Sequence, residues 1–114
     1  MNDIQLSIGH NVNGKPSHDQ QKIIKALIKI MNKHEQLIKG FSAYDMLGYW
    51  CGEIETSTRI EINGASNETA QAIRERIPEL ARYLKQYEIY FNVRPSTSWA
   101  IGCNDDVQTV ELTA

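Results

Sequence analysis

Apolar and polar residues alternate in three short segments of the chain, 4–8, 57–62 and 89–94. Alternation with a period of two predicts β-strands that bury one face and expose the other. The segment 44–50 differs because its apolar residues occupy both parities, so we expect this strand to need cover on both faces of a sheet. A polar turn that contains Glu53 and Glu55 follows it, which predicts a β-hairpin with the strand at 57–62.

Between the first two predicted strands, apolar residues recur at three- and four-residue spacing over 23–31. That spacing predicts an amphipathic helix with lysines on its solvent side. Ser17 and Gln20 match a capping box, so we expect the helix to begin there and to end near His34 or one turn later.

A second helical stripe runs from Ala70 to Leu84. Ser66 precedes it and is a good N-cap residue, because a serine hydroxyl can accept a hydrogen bond from a backbone N–H of the first turn. Pro78 falls inside the stripe, so we expect either a kink or a short second helix that uses the proline in its first turn.

The predicted order of elements is strand, helix, strand, strand, helix, strand. Two right-handed crossovers in this order form a ferredoxin-like α+β domain, with a four-stranded antiparallel sheet and both helices on one face. We expect this domain to span residues 1–95. The segment 96–114 contains two short apolar stretches around a polar turn at Asn104, which predict a C-terminal β-hairpin that packs on the same domain or on a partner subunit.

The face of the sheet turned away from the helices should carry the opposite parity of every strand. Its aromatic rings, guanidinium groups and amides are too apolar for plain solvent exposure and too polar for a sealed core. The predicted ligand-binding or interface residues on this face are Tyr44, Trp50, Arg59, Tyr90, Asn92 and Arg94. Trp99 joins them from the segment rich in serine and threonine that follows the last strand.

Three explanations for this face stay open at the level of the sequence. The C-terminal hairpin covers it, a second copy of the chain packs on it, or it holds a ligand whose flat parts stack on the aromatic rings while arginines pair with anionic groups. A dimer can also form a pocket at its interface, so the explanations are compatible. We therefore expect a homodimer or larger homo-oligomer that binds a small, anionic, nucleotide-like molecule.

Composition narrows the classes of partner. With 114 residues the chain fits one domain, and its formal net charge of −2 argues against bulk nucleic acid and against a polybasic membrane anchor. The longest apolar run, 23–31, contains lysines and is far shorter than the ~20 residues of a membrane span. The first residues do not resemble a signal peptide and the two cysteines are far apart, so we expect a cytoplasmic protein with free thiols.

The sequence contains no recognisable catalytic or metal-binding motif. The three histidines lack the spacing of a helical metal site, so we expect no metal and no cofactor. Cys51 has carboxylates nearby, which disfavour a thiolate, and we expect it to be a small core residue. If the protein is an enzyme, we expect a small dimeric α/β-barrel that acts on a metabolite, with Glu53, Tyr44 or His10 as acid–base candidates.

The stretch 48–62 reads Gly-Tyr-Trp-x-Gly-Glu-x-Glu-x-Ser-x-x-Ile-Glu-Ile, and a helix with an Ile-Pro-x-Leu motif follows it. Together with a first strand that ends in Gly-His, this pattern resembles small accessory proteins carried by phages and mobile elements. The resemblance implies a protein that counters host defence in the host cytoplasm, and it transfers no binding residue. It implies two routes, sequestration of a cyclic nucleotide signal or inhibition of a host defence complex of the CRISPR type.

The hypothesis from the sequence is therefore a phage-type accessory protein that binds a nucleotide-like ligand without catalysis. Inhibition of a host defence protein and the small metabolic enzyme are the two alternatives.

Overall fold

The computed structural model describes residues 1–97 and 101–103. In chain order the elements are β1 (Asn2–Gly9), β2 (Asn11–Val12), β3 (Lys15–Pro16), α1 (Gln20–Met31), β4 (Ser42–Trp50), β5 (Glu53–Ala65), α2 (Asn67–Tyr83) and β6 (Tyr90–Pro95). The predicted C-terminal hairpin depends on residues 98–100 and 104–114, which lie outside the described residues.

Four strands form an antiparallel sheet in the order β4-β5-β1-β6, and both helices pack on one face of it. This order confirms the predicted ferredoxin-like α+β class. The strands β2 and β3 form a separate two-stranded hairpin around a turn at Asn13 and Gly14, which both have positive φ. No helix in the described residues has the length and apolar character needed to cross a membrane.

One apolar core lies between the sheet and the helices. The alternating residues of β1 and β5 that the sequence pattern selects are buried, and the helices supply the other wall. The largest fully buried apolar side chains are Ile4, Leu6, Ile8, Ile23, Leu27, Met31, Ile60, Ile73, Leu80 and Leu84. Because neighbouring residues of a strand point to opposite faces, this burial also determines which side chains lie on the uncovered face.

The helix α1 is shorter than predicted at both ends. Asp19, not Ser17, is its N-cap, and its carboxylate accepts a hydrogen bond of 2.9 Å from a backbone N–H of the first turn. The helix ends at Met31, where the Asn32 side chain hydrogen-bonds both backbone groups of Ile38 at 2.9 and 3.0 Å. These two bonds stabilise a different chain direction after Asn32, so the helix does not reach His34.

The helix α2 begins as predicted. Ser66 is the N-cap, and its hydroxyl accepts a hydrogen bond of 3.1 Å from the backbone N–H of Thr69. Pro78 lies inside the helix, which continues to Tyr83, so the helix does not divide at the proline.

The hairpin of β4 and β5 is longer than the pattern predicted. Its turn consists of Cys51 and Gly52, both with positive φ, as a two-residue turn between twisted strands requires. Cys51 is therefore exposed at the turn, not buried in the core. Glu53 and Glu55 lie in β5, not in the turn.

The register of this hairpin runs without a shift from the Ser42–Glu61 pair to the Trp50–Glu53 pair. Gly48 causes no bulge, so the parity predicted for β4 holds to its end. The hairpin extends beyond the helices, and the helix-side residues Leu47 and Tyr49 are 70% and 74% exposed. Within residues 1–97 and 101–103, nothing supplies the cover that we expected on the helix side of the outer half of this strand.

Candidate functional site

The second face, as we call the side of the four-stranded sheet without helices, carries the predicted site residues. Parity and register place Tyr44, Arg59, Tyr90, Asn92 and Arg94 there. Trp50 has the same parity at the end of β4. Trp99 lies outside the described residues. A role of these residues in binding stays a prediction.

One row of residues crosses all four strands, with Tyr44 and Tyr90 at its ends and Arg59 and Ser7 between them. Adjacent strands are about 4.8 Å apart, so the two tyrosine backbones are separated by roughly 14 Å. The sheet therefore does not bring Tyr44 and Tyr90 into a single cluster. Because of this separation, a ligand that stacks on the ring of Tyr90 leaves the ring of Tyr44 available for a different contact.

At the centre of the second face, polar side chains are hydrogen-bonded to one another in one network. The Tyr44 hydroxyl donates to Glu61 at 2.7 Å, and Gln5 donates to the same carboxylate oxygen at 3.4 Å. Arg59 donates through Nε to Ser7 at 3.1 Å and through a terminal nitrogen to Gln5 at 3.5 Å. Arg59 is thus held by neutral partners, and no carboxylate in the network neutralises it through a direct ion pair.

The hydrogen bond to Glu61 raises the pKa of Tyr44 above its ordinary value. Desolvation and the negative charge of Glu61 raise this pKa further, while the positive charge of Arg59 lowers it. Tyr44 therefore remains a neutral hydrogen-bond donor at physiological pH.

Asn92 and Arg94 lie at one end of the second face, in a pocket of about 220 Å³. Its other lining residues are Asp3, Gln5, Glu61 and Asn63. Two carboxylates accompany one guanidinium here, a balance that does not favour an anionic ligand. The pocket is also smaller than the ~300 Å³ at which ligand sites usually begin.

A larger groove of about 760 Å³ lies at the opposite end of the second face. Its volume is within the range of small-molecule sites. The ends of β1 and β5, the β2–β3 hairpin and the segment before β6 form its walls. The residues that line this groove are Ser7, Gly9, Asn11, Asn13, Glu55, Ser57, Lys85, Gln86, Tyr87, Glu88 and Tyr90.

The groove combines aromatic rings with charges of both signs. Tyr87 and Tyr90 are exposed, so their rings are accessible for stacking. Glu55 and Glu88 supply carboxylates and Lys85 supplies an ammonium group. Of these five residues the sequence pattern predicted only Tyr90. Periodicity gave no signal for the other four, of which Lys85, Tyr87 and Glu88 are exposed and Glu55 is half-buried. The strand order brings them together.

Behind the groove, on the helix side of β5, His10 is buried with only 8% of its surface exposed. Its Nδ1 lies 2.9 Å from the Thr56 hydroxyl and its Nε2 lies 2.8 Å from the Thr58 hydroxyl. Thr58 in turn donates to Asp45 at 3.1 Å. We call these four residues the His10 cluster.

The three acid–base candidates of the enzyme alternative do not form one site. His10 lies on the helix side of the sheet, whereas Tyr44 lies on the second face and Glu53 lies beside the hairpin turn. In residues 1–97 and 101–103, no group of three or more His, Cys, Asp or Glu side chains could hold a metal ion.

Comparison with known proteins identifies structural relatives. No family model and no curated protein matches the chain. A phage SAM (S-adenosylmethionine) lyase in complex with S-methyl-5′-thioadenosine aligns with a TM-score of 0.68 and 23% identity, over 82% of this chain and 79% of the lyase. A phage SAM lyase in its apo state aligns with a TM-score of 0.64 and 25% identity, over 82% and 78%.

A DUF3240 family protein from Shewanella baltica shares the fold more distantly. Its TM-score is 0.54 at 10% identity, over 88% of this chain and 94% of that protein. These similarities establish the shared fold, and two of the three belong to phage proteins, consistent with the phage-type accessory role implied by the sequence.

Proposed function

We propose that this chain is a phage accessory enzyme that cleaves SAM in the host cytoplasm, and that the groove binds the product S-methyl-5′-thioadenosine. The observation that carries the proposal is the fold match with a phage SAM lyase in complex with that nucleoside. The groove offers room for the ligand, because its volume of about 760 Å³ exceeds the 220 Å³ of the pocket beside Asn92 and Arg94.

The charges of the groove complement those of SAM, which carries a sulfonium, an ammonium and a carboxylate. Glu55 and Glu88 attract the two positive groups, and Lys85 attracts the carboxylate. The rings of Tyr87 and Tyr90 can stack on adenine or face the sulfonium. Two carboxylates thus favour a ligand with positive charge over the anionic ligand that we expected from the sequence.

Cleavage to S-methyl-5′-thioadenosine requires one bond to break, between the sulfonium sulfur and the four-carbon chain of SAM. The electron pair of that bond stays on sulfur, which becomes a neutral thioether. As the bond breaks, the carbon gains a bond to the fragment's own carboxylate oxygen, which forms a lactone, or the adjacent carbon loses a proton to a base and its C–H electron pair becomes a C=C bond. In either case the groove must hold the chain in the reactive orientation and exclude water from it.

Removal of SAM deprives host enzymes of their methyl donor. This consequence connects the proposed activity with the counter-defence role that the sequence pattern implies. Sequestration of the nucleoside without cleavage is the second candidate, because ligand binding in the groove does not by itself require a reactive base.

We also propose that the protein self-associates through the outer half of its β4–β5 hairpin. Leu47, Tyr49 and Ile54 form an apolar patch there, since Tyr49 and Ile54 are directly paired and Leu47 is two residues from Tyr49 on the same face. The three side chains are 68–74% exposed. An isolated two-stranded ribbon is marginally stable in water, and packing against a second copy would stabilise it.

Incubation of the purified protein with SAM, followed by chromatography and mass spectrometry, tests the proposed activity. We expect S-methyl-5′-thioadenosine to accumulate in proportion to protein concentration, and Tyr90→Ala to reduce the rate. Tyr83→Ala is the matched control, because Tyr83 is an exposed tyrosine on α2, outside the groove. Binding of the nucleoside without turnover of SAM would support sequestration instead, and neither binding nor turnover would overturn both candidates.

A further inference from the structure

The hydrogen bonds of the His10 cluster determine where the imidazole proton lies. The Asp45 carboxylate only accepts hydrogen bonds, so the single hydroxyl proton of Thr58 is used in the bond to Asp45. The Thr58 oxygen must then accept from His10, which places the proton of the neutral ring on Nε2. The bare Nδ1 accepts from the hydroxyl of Thr56. Each group in this chain therefore donates to the next, from Thr56 to His10, from His10 to Thr58 and from Thr58 to Asp45.

This cluster holds the β5 wall of the groove. Thr56 and Thr58 flank Ser57, and adjacent residues of a strand point to opposite faces. When His10 binds both threonines, it therefore restrains the short stretch of β5 whose other face presents Glu55 and Ser57 to the groove. The backbone N–H of His10 also donates to the carbonyl of Thr56 at 3.1 Å.

The same residue holds the opposite wall. The carbonyl oxygen of His10 accepts two hydrogen bonds, from the backbone N–H groups of Ser17 at 3.0 Å and His18 at 2.8 Å. These bonds close the loop that contains the β2–β3 hairpin, from which Asn11 and Asn13 line the groove. His10 therefore hydrogen-bonds to both walls of the groove, although the two walls are far apart in sequence.

We propose that His10, held as its Nε2–H tautomer by Asp45 through Thr58, is a positioning residue for ligand binding in the groove. This role of His10 rests on the proposed function, because the groove whose width His10 sets is the proposed binding site for S-methyl-5′-thioadenosine. His10 lies on the opposite side of β5 from the groove and acts through Ser57, Glu55 and the β2–β3 hairpin.

The charged group that faces the imidazole from the elements packed around it is Asp45 of β4, at 3.7 Å from Nε2. From α1, Gln20 contributes a neutral amide that donates to the same carboxylate at 3.3 Å. Asp45→Asn would remove the charge and allow Thr58 to donate in another direction, so the tautomer would no longer be set.

The test uses the exposed end of the cluster, where substitution should not unfold the protein. Thr56→Val removes the hydroxyl but keeps the shape, and Thr56→Ser restores the hydroxyl. We expect Thr56→Val to weaken binding of S-methyl-5′-thioadenosine roughly three- to tenfold, the effect of one lost hydrogen bond, and Thr56→Ser to restore it. Ile30→Val, which removes one methyl group from the core away from the groove, is the control for a general loss of stability and should bind with unchanged affinity.

A spectroscopic readout in the ligand-free protein separates this proposal from the proposed function. Long-range ¹H–¹⁵N correlation spectra report the tautomer of each histidine, and we expect His10 as the Nε2–H form in wild type and a mixture in Asp45→Asn. In Thr56→Val, amide signals of Asn11, Asn13 and Ser57 should shift together. An Nδ1–H tautomer, or unchanged amide signals and affinity in Thr56→Val, would overturn the positioning role whether or not the protein cleaves SAM.

Discussion

Tyr44 and Glu61 are joined diagonally across β4 and β5, with the tyrosine hydroxyl donating to the carboxylate at 2.7 Å. The bond is diagonal because Tyr44 is paired in register with Arg59, and Glu61 is paired with Ser42. The tyrosine therefore lies between a hydrogen-bonded negative charge and a nearby positive charge, which act on its ionisation in opposite directions.

The first prediction concerns the titration of Tyr44. Because the bond to Glu61 raises its pKa, its phenolate should form above the ordinary value of about 10. The interaction stabilises the folded protein below that value and is lost as the pH rises through the folded pKa. The ultraviolet absorption of phenolate, as the difference between wild type and Tyr44→Phe, measures this midpoint among the five tyrosines of the chain.

Two charge variants give opposite shifts in the same titration. Glu61→Gln should lower the midpoint, because it removes the negative charge and weakens the bond, whereas Arg59→Gln should raise it. Equal shifts in both variants would show that Tyr44 responds to general disruption of the sheet, not to these two neighbours.

The second prediction separates charge recognition from nucleoside recognition. Glu55→Gln should lower kcat/KM for SAM, because the carboxylate neutralises a positive group of the substrate. It should leave the Kd for S-methyl-5′-thioadenosine almost unchanged, since that product has no charge. Glu68→Gln, in the first turn of α2, is the control and should change neither quantity. A loss of affinity for both ligands in Glu55→Gln would mean that this carboxylate contacts the nucleoside.

The third prediction concerns self-association. Tyr49→Lys should reduce the mass measured by light scattering from a multiple of 13.0 kDa to 13.0 kDa, because a lysine cannot be buried in the apolar hairpin patch without a partner charge. Ile28→Lys introduces the same charge at an exposed apolar position of α1 and should leave the mass unchanged. A wild-type protein that is monomeric at every concentration would exclude an interface on the hairpin.

The fourth prediction concerns Pro78, which is inside α2 and has no N–H to donate to the carbonyl of Arg74. Pro78→Ala restores this donor and should raise the free energy of unfolding by up to about 3 kcal/mol. Urea denaturation measures the change. Glu79→Ala alters only an exposed ion pair with Lys33, and should change stability by less than about 1 kcal/mol. A destabilised Pro78→Ala variant would show that the ring makes a packing contact worth more than the missing bond.

The sequence predicted the fold well because alternation in the strands determines which residues are buried. Ile4, Leu6, Ile8, Ile60 and Ile62 are all in the core, and their parity places Tyr44 and Tyr90 on the second face. The hairpin turn was predicted in the right interval but too long, because Cys51 is a residue that rarely adopts positive φ and so did not mark a two-residue turn.

The site was harder to predict because it depends on contacts between distant parts of the chain. Thr56 and Thr58 are 46 and 48 residues from His10, and no local pattern marks them as partners of its imidazole. The groove likewise needs segments from β1, β5 and the approach to β6, whose neighbouring positions follow from strand order alone.

Titration of ¹⁵N-labelled protein with S-methyl-5′-thioadenosine tests the central claim most directly, because amide shifts locate the ligand as well as detect it. We predict saturable shifts at Ser7, Ser57 and Tyr90, which line the groove, and none at Gln71 and Arg74, which line a separate pocket between α2 and β6. Shifts centred on Gln71 and Arg74, or no saturable shift at millimolar ligand, would contradict a nucleoside site in the groove.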